Sequence, residues 1–247
     1  MFRCIKITLW AFLCFFLCLV FSIYLTLPDV KLLVHENPKT TAFIELWRAQ
    51  RKKEDFKLQW DWVKLDLISP FLLSAVVRCE DPYFWSHHGV CWVQIKHALV
   101  ENLCSLSFRR GGSTITQQVA KNLYLSPSKN LVRKLREWFI ARELEHYLTK
   151  QRILEIYLNI AEWGDGIFGI EAASRYRFNK SPSKLTQREA RYLALILPSP
   201  VKLPSKEKMK KLDDLEWFNL EGVLLKGREF SLNKSRTTNL NVASCRV

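Results

Sequence analysis

Residues 111–122 read Gly-Gly-Ser-Thr-Ile-Thr-Gln-Gln-Val-Ala-Lys-Asn, and this stretch directs the interpretation of the whole chain. Two glycines followed by hydroxyl side chains predict a turn that leads into a helix. Backbone N–H groups at such a helix start attract anions, and Lys121 lies one to two turns further on. The spacing is not that of a Walker A loop. The alternatives are therefore an anion-binding turn and an ordinary helix capped by Ser or Thr.

Upstream, residues 80–89 place two adjacent carboxylates beside aromatic and histidine side chains. The segment reads Glu-Asp-Pro-Tyr-Phe-Trp-Ser-His-His-Gly, and it follows an apolar run that Ser69 and Pro70 open as N-cap and first helical residue. A carboxyl group against an aromatic surface has a raised pKa, which suits a general base. The alternative is structural: Asp81 caps a turn, and the histidines pack against it or pair with it.

Downstream, residues 133–137 (Arg-Lys-Leu-Arg-Glu) concentrate cations around one carboxylate. On a helix Arg133 and Glu137 are i,i+4 partners, so a surface ion pair is the default interpretation. The functional alternative is a carboxylate kept ionised among cations beside a phosphate-binding face. Residues 153–160 carry an apolar stripe, and residues 163–169 are rich in glycine, which indicates a core helix followed by a tight turn.

The spacing of apolar residues over 66–200 is typical of helices joined by polar turns, which predicts an all-α domain over this range. Thr149 and the Thr186–Glu189 capping box predict two further helix starts. Residues 28–65 are charged and amphipathic, and we expect a membrane-proximal stem. Residues 201–247 form a basic tail, for which the alternatives are disorder, a headgroup-binding segment or a changed reading frame.

The N-terminus contains a candidate membrane anchor. Residues 7–27 form an uncharged, apolar run, and a helix of this length covers about 30 Å, the hydrocarbon thickness of a bilayer. Arg3 and Lys6 precede it, so the positive-inside rule places residues 1–6 in the cytoplasm. A cleaved signal peptide is the alternative, but its apolar region is usually shorter, and Leu25-Thr-Leu-Pro28 is a poor cleavage site.

The chain has 38 Lys and Arg against 24 Asp and Glu, a formal net charge of +14, which predicts an anionic partner. We do not expect nucleic acid, because an anchor removes the domain from cytoplasmic DNA and the sequence carries no helix-turn-helix or zinc pattern. Anionic lipid headgroups and a phosphorylated substrate remain. The cysteines have no C-x-x-C spacing, so free thiols are favoured over a disulfide framework.

Four motifs follow one another along the chain: E-D-x-x-F-x-x-H-x-G, G-G-S-T-I-T-Q-Q-x-x-K-N, R-K-x-x-E and I-L-E-x-Y-L-N. In this order they resemble the signature set of the family 51 peptidoglycan glycosyltransferases, and especially its monofunctional transglycosylases. The likeness covers about residues 70–200. It implies a lysozyme-like α-helical fold and the polymerisation of lipid II into glycan strands with release of undecaprenyl diphosphate. It also implies a single-pass protein of the bacterial plasma (inner) membrane, with the catalytic domain on the periplasmic or extracellular side.

The resemblance implies a role for each matching residue. Glu80 corresponds to the general base that deprotonates the 4-hydroxyl of the acceptor GlcNAc, and Glu137 to a second catalytic glutamate on the diphosphate side. The implied substrate-binding residues are Asp81, Phe84, His87, Ser113, Thr114, Gln117, Gln118, Lys121, Arg133 and Lys134. A divalent cation, Mg²⁺ or Mn²⁺, is implied without assigned protein ligands, and no organic cofactor. The implied partners are lipid II, the growing glycan strand and membrane lipids, and contacts with other cell-wall or division proteins fit this placement.

Two other functions remain open at this stage. A peptidoglycan-cleaving lytic enzyme does not require the cations at positions 121, 133 and 134, because no diphosphate leaves. A membrane-anchored homologue could keep the fold without catalysis. The chain departs from the family at two places. Arg177 interrupts the usual Tyr-Phe pair, and the tail after Pro200 does not resemble the family's sequence. Residues 99–110 agree with the family, since they fall where it has a membrane-touching jaw.

Overall fold

The computed structural model describes residues 2–51, 58–105, 112–128 and 130–200. The predicted tail 201–247 and residues 106–110 of the predicted jaw lie outside these ranges. Helices dominate the described part, as predicted. The helices are α1 (Phe2–Leu25), α2 (Ala42–Gln50), α3 (Pro70–Glu80), α4 (Trp92–Ser105), α5 (Ile115–Tyr124), α6 (Leu131–Tyr147), α7 (Lys150–Ile160), α8 (Ile170–Phe178) and α9 (Gln187–Ile196). The strands are β1 (Gln59–Trp60), β2 (Glu162–Gly164) and β3 (Ile167–Phe168).

Helix α7 lies in the centre of the domain. Its side chains from Ile153 to Ile160 are buried on nearly all sides, with Glu155 as the partly exposed exception. A helix that is apolar around most of its circumference must be covered by its neighbours, and α5 and α6 both pack against it. The predicted start at Thr149 is confirmed, because its hydroxyl accepts a hydrogen bond from the backbone N–H of Arg152.

The polar sequence signals place the helix starts that surround this core. Helix α3 begins at Pro70 as predicted, ends at Glu80 and packs against α9. Ser69 stands at the N-cap position, but its hydroxyl donates to the carbonyl oxygen of Leu185 at 3.1 Å instead of capping the helix. Thr186 and Glu189 form the predicted capping box of α9. Because α3 packs closely against α9, the position of its last residue, Glu80, at the edge of the core is fixed.

A small three-stranded sheet is an addition to the predicted all-α domain. Strand β3 pairs in parallel with β1 and antiparallel with β2. These strands have two or three residues each, which is too short for an alternation of apolar and polar residues to predict them. Gly169 follows β3 with a φ of +80°, and a Cβ there would lie 2.8 Å from the carbonyl oxygen of Asn159. Only glycine therefore allows the sheet to turn into α8 against α7.

The predicted division between a stem (28–65) and a domain that begins at 66 differs from the packing. Val30, Leu33 and Val63 belong to the main core. The side chain of Asn159 on α7 bonds both backbone groups of Val63, each at 2.8 Å. The described residues of this segment are therefore part of the domain, because their apolar side chains find cover there that an isolated stem would lack.

Helix α1 is long and apolar enough over Lys6–Leu25 to cross a membrane, and most of its side chains are exposed. Its end is tied to the domain through Arg136 on α6. The guanidinium donates to the hydroxyl of Thr26 at 3.0 Å and to its carbonyl oxygen at 2.9 Å. The carbonyl oxygens at a helix end lack intrahelical partners, so Arg136 satisfies one of them.

Candidate active site

Glu80, the last residue of α3, faces α5 at the edge of the core. The amide nitrogen of Gln118 on α5 donates to Oε2 of Glu80 at 2.7 Å. The hydroxyl of Tyr157, a fully buried residue of α7, donates to the amide oxygen of Gln118 at 3.2 Å. Because the Tyr157 hydroxyl occupies the amide oxygen, the amide nitrogen of Gln118 is directed at Glu80.

The pKa of Glu80 is raised above its ordinary value. Burial is the largest cause, and the neighbouring charge of Asp81 adds to it, whereas the hydrogen bond from Gln118 and the charge of Lys121 act in the opposite direction. A half-buried carboxylate with a raised pKa, held by one donor, is suited to accept a proton as a general base. The sequence-based expectation of a raised pKa is confirmed.

Asp81, in contrast, is fully buried and has its hydrogen bonds inside the protein. Its carboxylate accepts from the backbone N–H of Ile115 at 3.0 Å, from Gln94 at 2.7 Å and from Nε2 of His87 at 2.8 Å. The backbone N–H of Gly89 donates to Nδ1 of His87, so Nε2 carries the proton that points at Asp81. Asp81 and His87 therefore have the structural role that the sequence left open, in which the two side chains pair with each other. The Asp81 carboxylate also ties the end of α3 to Ile115, the first residue of α5.

Three other residues predicted to bind substrate are also buried. Thr114 and Gln117 form the capping box of α5, and the Thr114 hydroxyl donates to the carbonyl oxygen of Gly89 at 2.6 Å. Phe84 is fully buried under the ammonium group of Lys150, which lies 4.5 Å from its ring centroid. These side chains hold the 80–89 turn against α5, so the turn at positions 112–114 is built as a capped helix start.

The carboxylate of Glu137 lies within a cluster of cations on α6. Glu137 is only 2% exposed, Arg133 contacts its Oε2 at 2.6 Å, and Lys134 contacts its Oε1. Lys134 also donates to the hydroxyl of Ser113 at 3.0 Å, which joins α6 to the start of α5. The side chain of Lys134 is 35% exposed and that of Arg133 is 15% exposed, so a ligand reaches the cations more readily than the carboxylate.

Lys121 on α5 connects the two carboxylate sites electrostatically. Burial lowers its pKa, as do Arg133 and Lys134, whereas Glu137 and Glu80 raise it. Within the described part of the chain, Lys121 forms no ion pair; its ammonium group lies over the ring of Phe43, 5.3 Å from the ring centroid. Among the residues that the structure describes, no carboxylate neutralises this cation directly.

The residues around Glu137 do not form a protein-held site for a divalent cation. Both carboxylate oxygens already face Arg133 or Lys134, and the described residues contain no group of three His, Cys, Asp or Glu side chains placed for a metal ion. A hard dication requires several oxygen ligands.

Sequence reasoning did not find several residues of this site. Gln94 completes the partners of Asp81, and Phe43 contacts Lys121 from α2, in the segment that the sequence placed in a stem. Tyr157 lies in the segment predicted as a core helix, yet its hydroxyl orients Gln118. Nothing in the local sequence signals these contacts, because each joins elements that are distant along the chain.

Comparison with known proteins gives one consistent result. A family model described as Transglycosylase matches residues 49–220. The biosynthetic peptidoglycan transglycosylase of Aromatoleum aromaticum is 46% identical over 168 residues, which cover 67% of this chain and 73% of the relative. The protein of the same name from Nitrobacter hamburgensis is 44% identical over 179 residues, covering 72% and 77%. That from Nitrosomonas europaea is 46% identical over 178 residues, covering 71% and 73%. The chain described here belongs to the transglycosylase family.

Proposed function

We propose that this peptidoglycan glycosyltransferase of cell-wall synthesis joins two lipid-linked saccharides at Glu80, with lipid II as donor. Glu80 accepts the proton of the acceptor GlcNAc 4-hydroxyl while that oxygen attacks C1 of the donor MurNAc. The new bond forms on the face of C1 opposite the diphosphate, so the configuration inverts. The C1–O bond breaks, its electron pair leaves with undecaprenyl diphosphate, and no water enters the balance.

The leaving diphosphate requires positive charge that is already in place, because preorganised charges stabilise the transition state at no cost of reorganisation. Lys121, Arg133 and Lys134 supply it, and Ser113 orients Lys134. Glu137 is buried beneath these cations. We therefore assign to Glu137 the positioning of Arg133 and Lys134, in place of direct contact with the substrate.

The observation that carries this proposal is that Lys121 interacts electrostatically with two different carboxylate sites, at Glu80 and at Glu137. On one side a half-buried carboxylate has a raised pKa, and on the other several cations surround a buried glutamate. A lytic enzyme needs the first environment but not the second, because its leaving group is a sugar hydroxyl. The buried residues Asp81, Phe84, His87, Thr114 and Gln117 act as positioning residues in this assignment.

For localisation we propose that α1 crosses the plasma membrane with residues 1–6 on the cytoplasmic side. The apolar span Lys6–Leu25 and the cations Arg3 and Lys6 support this orientation. The domain then lies on the outer face of the bilayer, where lipid II presents its disaccharide. A cysteine-reactive reagent that does not cross membranes would label a cysteine placed at Lys184 in intact cells if this orientation is right.

The test of function is incubation of the purified full chain with labelled lipid II, with and without a divalent cation and with a chelator. We expect glycan chains from the wild type and none from Glu80→Gln. Cleavage of preformed glycan without polymerisation would support the lytic alternative, and inertness in both assays would support a non-catalytic homologue. The arm with chelator tests the predicted dependence on Mg²⁺ or Mn²⁺, which remains a prediction.

A further inference from the structure

The ammonium group of Lys121 lies over the ring of Phe43, with its nitrogen 5.3 Å from the ring centroid. Phe43 is half-buried on α2, the helix that packs directly against α5. This contact comes from outside the four sequence motifs. It is also the contact by which the described structure holds the end of the Lys121 side chain, because no carboxylate lies within ion-pair distance of it.

Helix α2 is held rigidly enough to place this ring. The hydroxyl of Thr41 caps its N-terminus by accepting from the backbone N–H of Ile44 at 3.0 Å. Ile44 and Trp47 are buried against Phe168 of β3, and Nε1 of Trp47 donates to Asp165 at 3.0 Å. Phe43 packs against the edge of this cluster. One side of α2 is therefore fixed to the sheet, while Phe43 extends from it towards α5.

We propose that Phe43 is a positioning residue for donor binding, which holds the Lys121 ammonium group in the cleft through its aromatic face without neutralising it. A carboxylate in this place would fix the lysine equally well but would compete with the diphosphate for its charge. An aromatic face attracts the cation through its quadrupole and leaves the N–H groups available for phosphate oxygens. This inference rests on the proposed function, since it gives Lys121 the role of binding the donor diphosphate.

The inference depends on the ring and on Lys121 together, so a double-mutant cycle tests it. The measured quantity is the dissociation constant of undecaprenyl diphosphate from the full chain in detergent micelles, by calorimetry. We expect Phe43→Leu, which keeps apolar bulk, to weaken binding about 3- to 10-fold. Phe43→Tyr keeps the aromatic face and should bind within about twofold of the wild type. In a Lys121→Ala background, Phe43→Leu should cause no further loss.

Phe178→Leu is the matched control. Phe178 is also a half-buried phenylalanine packed against the core, but it lies on α8, and its aromatic contact is the ring of Tyr192. We expect a comparable decrease in melting temperature and unchanged binding. The inference is overturned if Phe43→Leu weakens binding by the same factor with and without Lys121, if it has no effect in the wild type, or if the wild type does not bind the diphosphate. Binding that follows the expected pattern without lipid II turnover would uphold the inference while refuting polymerisation.

Discussion

Gln118 and Glu80 are joined by a hydrogen bond of 2.7 Å from the amide nitrogen to the carboxylate. This bond favours the ionised form of Glu80, whereas burial and the charge of Asp81 favour the protonated form. Burial and Asp81 thus raise the pKa of the Glu80 carboxylate, while Gln118 holds the carboxylate in place.

Replacement of Gln118 by Leu should raise the pKa of Glu80 further, because it removes the bond that stabilises the charged form. A general base must be ionised to act, so the acid limb of the kcat/KM profile should move to higher pH. We expect a loss of about tenfold on the acid side, the typical value of one hydrogen bond to a charged group. Gln50→Leu, at the exposed end of α2, serves as the control; an unchanged acid limb in Gln118→Leu would contradict the assignment.

Tyr157→Phe should act on the same bond from one step away. Removal of the hydroxyl leaves the Gln118 amide oxygen without its partner and allows the amide to turn. The cost of an unpaired, partly buried polar group is about 1–3 kcal/mol, which lowers the melting temperature by roughly 2–12 °C in a domain of this size. The acid limb should move in the same direction as in Gln118→Leu. Tyr192→Phe, which removes a hydroxyl on α9, should leave the profile unchanged.

Glu80→Gln should abolish polymerisation and yet stabilise the fold at neutral pH. The pKa of Glu80 is raised in the folded protein, so the folded state binds its proton more tightly than the unfolded state does. The stability that this proton contributes is present below the unfolded-state pKa and is lost as pH rises through the folded-state pKa. Calorimetry should show a melting temperature above that of the wild type near pH 8 and no gain near pH 4. Glu36→Gln, at an exposed position, should show neither effect.

Asp81→Asn should damage stability more than Glu80→Gln does, although the two residues are adjacent. Asp81 accepts three hydrogen bonds while fully buried, and an amide group must turn its NH₂ towards at least one donor. We expect a loss of about 1–3 kcal/mol in the free energy of unfolding, the cost of a buried donor left without its acceptor, measured by denaturant titration. Exposed Asp66 offers the matched Asp→Asn control. A normal unfolding midpoint with lost activity would instead indicate direct contact between Asp81 and substrate.

Lys121→Ala should lower the rate of polymerisation by about 100-fold, the usual effect of removing one group that stabilises a developing charge. Because Lys121 lies in no ion pair of the described structure, its loss leaves no unpaired buried carboxylate, and the melting temperature should change little. The measurement is single-turnover chain extension with labelled lipid II. Lys184→Ala, in the loop before α9, provides the control, and near-normal rates in Lys121→Ala would remove this residue from the diphosphate site.

Local sequence signals predicted the elements whose causes are local. Ser69 and Pro70 predict the start of α3, and the apolar run that follows them predicts that Glu80 lies at the end of this helix. The spacing of Arg133 and Glu137 by four residues predicts their contact, since one helix carries both. The four motifs in order then identified the family, because each motif is positioned by the fold and few folds need all of them.

The contacts between distant segments could not be predicted in this way. Residues 28–65 appear amphipathic in sequence, but only the packed structure shows that Val30 and Val63 complete the core. The sequence also could not show which polar residues of the motifs face the cleft. Thr114 and Gln117 are of residue types that often bind ligands, but here their side chains form the capping box of α5. They do so because the backbone N–H groups at a helix start lack intrahelical partners.

The hydrogen bonds between Arg136 and Thr26 bear on how the enzyme finds its substrate. Arg136 precedes Glu137 directly, so the end of the apolar helix α1 is coupled to α6 beside the cation cluster of Arg133 and Lys134. If α1 spans the membrane as proposed, the cation cluster stays at a constant height above the lipid surface. A lipid-linked diphosphate also travels at a constant height. Enzyme and substrate then meet by lateral diffusion in two dimensions, and the search through a third dimension is removed.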